Sequence, residues 1–254
     1  MDSWKFYDIT HRDHIICNPT SVAKLDEVVR LLDLPPDASI LDIACGKGEL
    51  LLRLAETYGG PSAEGFHAIG IDISPFCIEQ LRVAATARAP GAELELLEMD
   101  GADYQPPGAA FDLASCVGAS WTFGGHRATL RALADAVRPG GQVLVGEPFW
   151  RSEPDVAYLA WSGTERDSFG SHAANVEAGV SEGLIPFLAL VSNGDDWDRY
   201  VTLQWRAAAR YAAVHPDDPD LPELLDRVGR ARHEYLTWGR DTLGWALYLF
   251  GRPA

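Results

Sequence analysis

Three acidic residues and one glycine-containing loop carry the clearest chemical signal in this sequence. Asp42 lies near the end of an apolar run and precedes the loop ACGKG, residues 44–48. Asp72 and Asp100 each end a later apolar run. The two glycines of the loop leave room for a ligand beside the backbone. Because a helix that begins at the loop directs free N–H groups toward it, the loop favours a carboxylate or a phosphate.

The two later acids favour an adenosine-like ligand. A carboxylate at the end of the second strand, as at Asp72, can accept hydrogen bonds from both ribose hydroxyls. Asp100, at the end of the third, can accept one from an exocyclic amine. The dinucleotide fingerprint G-x-G-x-x-G is incomplete, because Leu51 stands where its third glycine would be. Asp42 has no role beside a pyrophosphate and suits an ammonium or sulfonium group, so a NAD-binding oxidoreductase is the least favoured alternative.

The elements that must position these residues alternate between strand and helix patterns in the first half of the chain. Ser74 and Pro75 form a good start for a helix that ends near residue 89. Alternation of strands with helices predicts a parallel, doubly wound sheet. Short apolar runs predict five strands, over residues 39–44, 67–73, 92–99, 111–118 and 142–148.

The second half has longer helical patterns. Residues 151–183 are helical or irregular, and two further strands are predicted over 183–192 and 243–251. Between these strands, residues 193–240 predict a helical hairpin, which we interpret as a lid. Whether residues 151–183 and 193–240 form a pocket or the interface of a homodimer stays open.

Composition limits the class of ligand. The chain has 254 residues and a formal charge of −16, which repels a polyanion and favours neutral or cationic small molecules. We therefore expect no nucleic-acid partner. The longest notable apolar run, residues 184–191, is too short to cross a membrane. Because the cysteines and histidines do not have the spacing of metal ligands, we expect no metal site. The absence of paired cysteines also favours a reducing, cytoplasmic location. The cysteines are dispersed: Cys17, Cys45, Cys77 and Cys116.

Four motifs, in this order, resemble those of class I S-adenosylmethionine (SAM)-dependent methyltransferases. They are ILDIACGKG (40–48), GIDIS (70–74), EMDGAD (98–103) and RPGGQVLVGEP (138–148). The style is that of the UbiE-like, small-molecule branch. The stretches HIICNP, CVGASW, GEPFW and DDWDRY together look like an uncharacterised bacterial subgroup. The resemblance implies an α/β fold with a Rossmann-like, doubly wound seven-stranded sheet and an inserted helical lid.

The resemblance also implies a role for each motif residue. The methionine end of SAM would be held by Asp42, Ala44, Cys45, Gly46 and Gly48. Asp72 would hold the ribose, and the adenine would lie beside Ile73, Asp100, Gly101 and Ala102. The methyl-donor side would be lined by Val117, Gly118 and Ala119. The family loop often begins with Gly where this chain has Ala44. We expect the alanine to reduce the conformational freedom of the loop without abolishing SAM binding.

Methyl transfer from a sulfonium is an in-line displacement that needs alignment and a dry pocket. A base is needed only if the acceptor must lose a proton. Our candidates are Glu147, which follows the fifth strand, and His14 and His11, since the N-terminal segment of this fold commonly closes over the cofactor. Aromatic residues follow strands four and five and suggest an aromatic acceptor pocket: Trp121, Phe123, Phe149 and Trp150.

The sequence thus predicts a single methyltransferase domain over residues 1–254. Its parts are N-terminal helices and lid (1–38), a SAM-binding core (39–150) and an acceptor side (151–254). The expected acceptor is a small molecule, amine-bearing or aromatic. The alternatives are a methyltransferase that acts on a macromolecule, and a SAM-binding module that no longer catalyses.

Overall fold

A computed structural model of the chain describes residues 1–59 and 66–254. Within these residues, seven strands form one sheet in the order β3-β2-β1-β4-β5-β7-β6. The first five are parallel, and β7 is antiparallel to both β5 and β6. The strands are β1 (Ser39–Ile43), β2 (His67–Asp72), β3 (Glu93–Glu98), β4 (Phe111–Val117), β5 (Val137–Trp150), β6 (Ile185–Val191) and β7 (Leu243–Gly251).

Helices cover both faces of this sheet. The described residues form α1 (Ser3–Thr10), α2 (Val22–Leu31), α3 (Glu49–Tyr58), α4 (Pro75–Arg88), α5 (His126–Ala136), α6 (Val156–Ser162), α7 (His172–Ser181), α8 (Gly194–Val214) and α9 (Leu221–Glu234). A π-helical turn, Tyr235–Gly239, and one α-helical turn, Arg240–Thr242, join α9 to β7. None of the described helices is both long enough and apolar enough to span a bilayer.

Two apolar layers flank the sheet because successive strand side chains point to opposite faces. In β5, Leu144 packs in the cluster that includes α2 and α3. Its neighbours Val143 and Val145 pack in the cluster that includes α5. Strand order reverses between β1 and β4, and ligands of open parallel sheets bind at such a switch point.

The predicted helix start after β2 is confirmed in detail. Ser74 has extended backbone angles, and its side chain accepts a hydrogen bond from the N–H of Cys77. Pro75 occupies the first turn, where its missing N–H costs no intrahelical bond. The helix therefore begins three residues after Asp72, the last residue of β2.

β5 is longer than the predicted 142–148. It begins at Val137, which pairs with Phe111 before the register shifts. At its other end it pairs with β7 as far as Trp150 and Leu243, beyond the last β4 pair, Val117 with Gly146. The extension beyond residue 148 arises because β7, a strand near the far end of the chain, continues to pair with β5 there.

The helical segment between β6 and β7 packs against the N-terminus of the chain. Ile9 of α1 contacts a cluster in α8 and α9 that includes Ala208, Leu224 and Val228. A salt bridge from Lys24 of α2 to Asp196 of α8 adds a second link. The predicted α/β fold with a seven-stranded sheet is confirmed, and the predicted insertion between β6 and β7 is helical. Its role as a lid stays a prediction.

Candidate active site

The loop after β1 turns through backbone conformations that favour glycine. Gly46 has φ 56° and Gly48 has φ 72°. A Cβ on Gly46 would meet no atom within 4 Å, so this side of the loop is open for a ligand. A Cβ on Gly48 would overlap the Leu81 side chain, so this glycine lets the loop pack against α4. Ala44 has φ 55° and is the one non-glycine residue with positive φ in the described part of the chain.

Asp72 holds this loop in place. Its two carboxylate oxygens accept hydrogen bonds from the N–H of Gly46 and of Ser74, each at 2.8 Å. Burial raises the pKa of Asp72, and the two hydrogen bonds partly oppose that rise. A carboxylate has about four lone-pair sites, so it can also accept from ribose hydroxyls.

Asp42 is buried between the sheet and the loop. The Ser115 hydroxyl donates a hydrogen bond of 2.7 Å to its Oδ1. Burial raises the pKa of Asp42 to about 7, and the Ser115 bond partly opposes this. A ligand cation beside Asp42 would stabilise its ionised form.

A cavity of about 70 Å³ lies between the loop and the N-terminal segment. Asp42 and Val117 contribute from the strand ends and Leu247 from β7. Leu25 of α2 and Glu49 and Leu50 of α3 also line the wall. The loop contributes Ala44, Cys45, Gly46 and Lys47, and the N-terminal segment contributes Ile15, Ile16, Cys17, Asn18 and Thr20. This lining brings together the residues predicted for the methionine end, apart from Gly48.

The residues predicted for the adenine lie at the ends of β2 and β3. Ile73 is 47% exposed, so its side chain is free to pack against a ring. Asp100 is exposed and accepts a hydrogen bond of 2.9 Å from the N–H of Ala102. A Cβ on Gly101 would overlap Ile43, so glycine is needed there for packing.

Val117 is the last residue of β4, and Gly118 and Ala119 follow it. Gly118 has φ 88°, and a Cβ on it would lie 3.0 Å from the Trp245 ring. Trp245 donates a hydrogen bond of 3.0 Å from its indole nitrogen to the Thr20 hydroxyl. Ala119 is buried, and of the three residues Val117 lines the cavity.

Lys47 is a residue of the candidate site that the sequence motifs did not single out. Its ammonium group donates hydrogen bonds to the backbone carbonyls of His11 at 2.7 Å and His14 at 3.1 Å. The loop is thereby tied to the segment that covers it. The lysine was visible inside the GKG motif, but nothing in the sequence shows which distant carbonyls it meets.

The two candidate histidines differ in what their rings bind. His11 uses Nε2 with the Tyr200 hydroxyl at 3.0 Å and Nδ1 with the Thr10 hydroxyl at 3.1 Å. Burial lowers the pKa of His11 to about 3. His14 donates from Nε2 to the Tyr200 carbonyl at 2.8 Å, and its buried Nδ1 has no hydrogen-bond partner among the described residues. His14 therefore presents one free lone pair, and burial lowers its pKa.

The structure does not bring Glu147 together with the histidines. Glu147 lies on the sheet face that carries α5, and it lines a different cavity from His14. Burial raises the pKa of Glu147 to about 7, partly opposed by a hydrogen bond from Ser120.

The four aromatic residues after β4 and β5 do not form one pocket. Trp121 is 75% exposed, whereas Phe149 and Trp150 are buried. Phe149 packs beside His172, and the Trp150 indole donates to a backbone carbonyl. The prediction of an aromatic pocket from these residues is wrong, because tertiary packing sends their side chains in different directions.

The donor set fits SAM. The first turn of α3 has no capping side chain, since its N-cap is Gly48, so free N–H groups face the loop and suit a carboxylate. Asp42 suits the positive charges at the methionine end, and Asp72 suits the ribose. The open side of Gly46 leaves room for these groups beside the backbone.

Comparisons with known proteins agree with this fit. A methyltransferase-domain family model matches residues 40–141. A SAM-dependent methyltransferase from Thiobacillus denitrificans, solved in complex with S-adenosyl-L-homocysteine, is similar over 98% of this chain and 99% of its own. The two have 30% sequence identity and a TM-score of 0.87.

Two further relatives cover different shares of the chain. The uncharacterized protein YjhP of Escherichia coli is 29% identical over 98% of both proteins. A demethylmenaquinone methyltransferase from Thermus thermophilus is 33% identical over 42% of this chain and 46% of its own.

Proposed function

Because the chain belongs to the class I SAM-dependent methyltransferases and uses SAM, we propose that it methylates a small molecule that carries an N–H or O–H group. The acceptor binds between the N-terminal segment and α8. When bound, SAM supplies a methyl group on an electrophilic sulfonium. The chain's own task is to orient the acceptor, exclude water and take up the proton that the acceptor loses.

A second cavity supports this acceptor position. It measures about 300 Å³ and lies between the N-terminal segment and α8. It shares Ile15, Ile16, Asn18 and Thr20 with the cavity at the glycine loop. One short stretch of chain therefore borders both spaces, which suits a reaction between two ligands. A space of this volume suits a small molecule better than a folded macromolecule.

His14 carries the proposal. It lines the acceptor cavity, and its Nε2–H donates to the Tyr200 carbonyl, which makes Nδ1 the acceptor of the neutral ring. Because burial lowers the pKa of His14, the ring stays neutral at neutral pH. An acceptor N–H or O–H placed against Nδ1 can pass its proton to the imidazole as the methyl group arrives. Of the three predicted catalytic residues, we propose His14 as the base.

The net charge and the similar proteins both support a small-molecule acceptor. The formal charge of −16 disfavours a nucleic-acid substrate. Arg199 also lines the acceptor cavity, together with Asp196, whose carboxylate is paired with Lys24, so the cavity has polar side chains that can orient a small molecule. The demethylmenaquinone methyltransferase that matches 42% of this chain bears a small-molecule substrate in its name.

Methyl-labelled SAM tests the proposal. The purified protein is incubated with labelled SAM and a bacterial cell extract, and the products are separated by size. We expect label in the small-molecule fraction. Label confined to protein or nucleic acid would contradict the acceptor class. Absence of label from every fraction, with S-adenosylhomocysteine (SAH) binding intact, would favour a SAM-binding module without catalysis.

A further inference from the structure

A large cavity lies on the face of the sheet away from the glycine loop. It measures about 540 Å³ and is lined by Glu147 of β5, the start of α5 and Asn175 of α7. Glu147 shares its face of β5 with Val145 and Phe149, which pack in the α5 cluster. The glycine-loop cavity is instead bordered by Leu247, which packs in the α2 and α3 cluster. None of the residues that line one cavity lines the other.

Two buried acceptors without partners meet in this cavity. Glu147 is 4% exposed, and its Oε2 has no hydrogen-bond partner among the described residues. The same holds for Nδ1 of His126, which lies 3.9 Å from Glu147 Oε2. The other ring nitrogen of His126 lies 3.0 Å from the backbone carbonyl of Asn175 and must donate to it. Nδ1 of His126 is therefore an acceptor, and so is Oε2 of the ionised Glu147 carboxylate, which a bound cation stabilises. Together the two atoms call for a group with several N–H donors.

The N-terminus of α5, which carries a partial positive charge, lies next to this pair of acceptors. The N-cap residue, Gly125, has no side chain to bond the first-turn N–H groups. Gly124 has φ 85° and Gly125 has φ 121°, and a Cβ on either would meet no atom within 4 Å. The helix N-terminus is thus open to the cavity and attracts an anion. Since His126 is the first residue of α5, the Glu147–His126 pair of acceptors lies next to the first-turn N–H groups of that helix.

Other charged groups at the rim are partly neutralised. Arg127 and Arg131 both line the cavity, and both form salt bridges to Glu182. Asp167 lines it as well. Asp167 is exposed to solvent at the rim, whereas the Glu147 carboxyl is buried. Inside the cavity, the Glu147 carboxyl favours a cation and the helix N-terminus favours an anion.

From this juxtaposition we infer that the cavity binds a free α-amino acid. The ammonium group donates to Glu147 Oε2 and His126 Nδ1, and the carboxylate accepts from the first-turn N–H groups of α5. An α-amino acid carries both charges within a few ångströms, as this arrangement demands. The side chain extends toward Asp167, Ser168 and Gly170, where the cavity is open. This site is separate from the proposed methyl-acceptor cavity and does not depend on it.

Calorimetric titration tests this site on the full-length protein. The probes are glycine, L-alanine, L-serine and L-glutamine, with acetate and methylammonium as single-charge controls. We expect at least one amino acid to bind, and each single-charge probe to bind at least tenfold more weakly. Glu147→Gln should weaken amino-acid binding by about tenfold or more because a charged acceptor is lost. The matched variant Asp135→Asn, on an exposed residue of α5, should bind as wild type does.

SAH titration of each variant shows whether it is folded. If Glu147→Gln does not bind SAH, His126→Phe takes its place, since it removes Nδ1 and keeps a ring beside Tyr248. Failure of all four amino acids to bind would overturn the inference. Equal amino-acid affinity of wild type and a folded Glu147→Gln or His126→Phe variant would overturn it as well.

Discussion

The cofactor side and the acceptor side of this molecule are built in different ways. On the cofactor side, the key link joins Asp72 to Gly46, which are 26 positions apart and belong to consecutive strand ends. On the acceptor side, His14 bonds to Tyr200, 186 positions away. The first arrangement follows from motifs within one parallel sheet. The second exists only after an insertion between the last two strands has folded onto the N-terminus.

This difference predicts which substitutions should reduce cofactor affinity and which should reduce turnover. The loop is held by carboxylate-to-backbone bonds, so changes there should reduce cofactor affinity. The acceptor side is held by packing between α1, α8 and α9. Changes there should affect turnover while cofactor affinity stays near that of the wild type. Lys47 connects the two regions and should affect both.

The largest effect on the cofactor side is expected for Asp72→Ala. The change removes the acceptor of two loop N–H groups together with the proposed ribose ligand. Hydrogen bonds to a charged group contribute about 1.5–3 kcal/mol each, so SAH affinity should fall by about 100-fold or more. Calorimetric titration with SAH measures this. Glu95→Gln, an exposed carboxylate of β3, is the control, and equal loss in the two variants would contradict the assignment.

A smaller effect is expected for Lys47→Met, which keeps the side-chain stem and removes the two bonds to the N-terminal segment. SAH should bind about tenfold more weakly, because closure of the segment over the cavity loses its charged anchor. The segment around residues 11–14 should also become more sensitive to limited proteolysis. Arg82→Met, on the exposed side of α4, is the control. Unchanged proteolysis and SAH affinity would show that Lys47 does not hold the segment.

The smallest effect is expected for Ala44→Gly. Ala44 lies in the left-handed region, which costs a residue with a Cβ roughly 1–2 kcal/mol, while glycine costs about 0.4–1 kcal/mol through the unfolded chain. The free energy of unfolding should therefore rise by at most about 1.6 kcal/mol, as measured by urea denaturation. A decrease in stability would mean that the alanine methyl packs favourably in the loop.

The sequence was most informative where function depends on local backbone chemistry. The placement of Asp42 and Asp72 in the last two residues of β1 and β2 was predicted, because apolar runs and glycine loops are typical of parallel strands. Asp100, predicted to end the third strand, lies two residues beyond the end of β3. The cap at Ser74 was predicted for the same reason. In contrast, the extension of β5 to Trp150 could not be predicted, because its partner β7 lies about a hundred residues further along the chain.

Side-chain direction on the acceptor side was also beyond the sequence. Phe149 and Trp150 are adjacent in the chain, yet alternation along β5 sends them to opposite faces of the sheet. The free Nδ1 of His14 depends on a bond to Tyr200, a residue that no motif connects to it. The different roles we propose for His14 and Glu147 likewise rest on which cavity each side chain enters.

The most direct measurement compares His14→Gln with wild type in both SAH affinity and methyl transfer, once a labelled acceptor has been isolated. We predict an SAH dissociation constant within about threefold of wild type and a kcat reduced by about 100-fold or more. Since burial lowers the pKa of His14, wild-type kcat should fall only below pH 6.5 as the ring gains its proton, and the variant should lack this decline. A variant with full kcat and the same pH profile would contradict the assignment of His14 as the base.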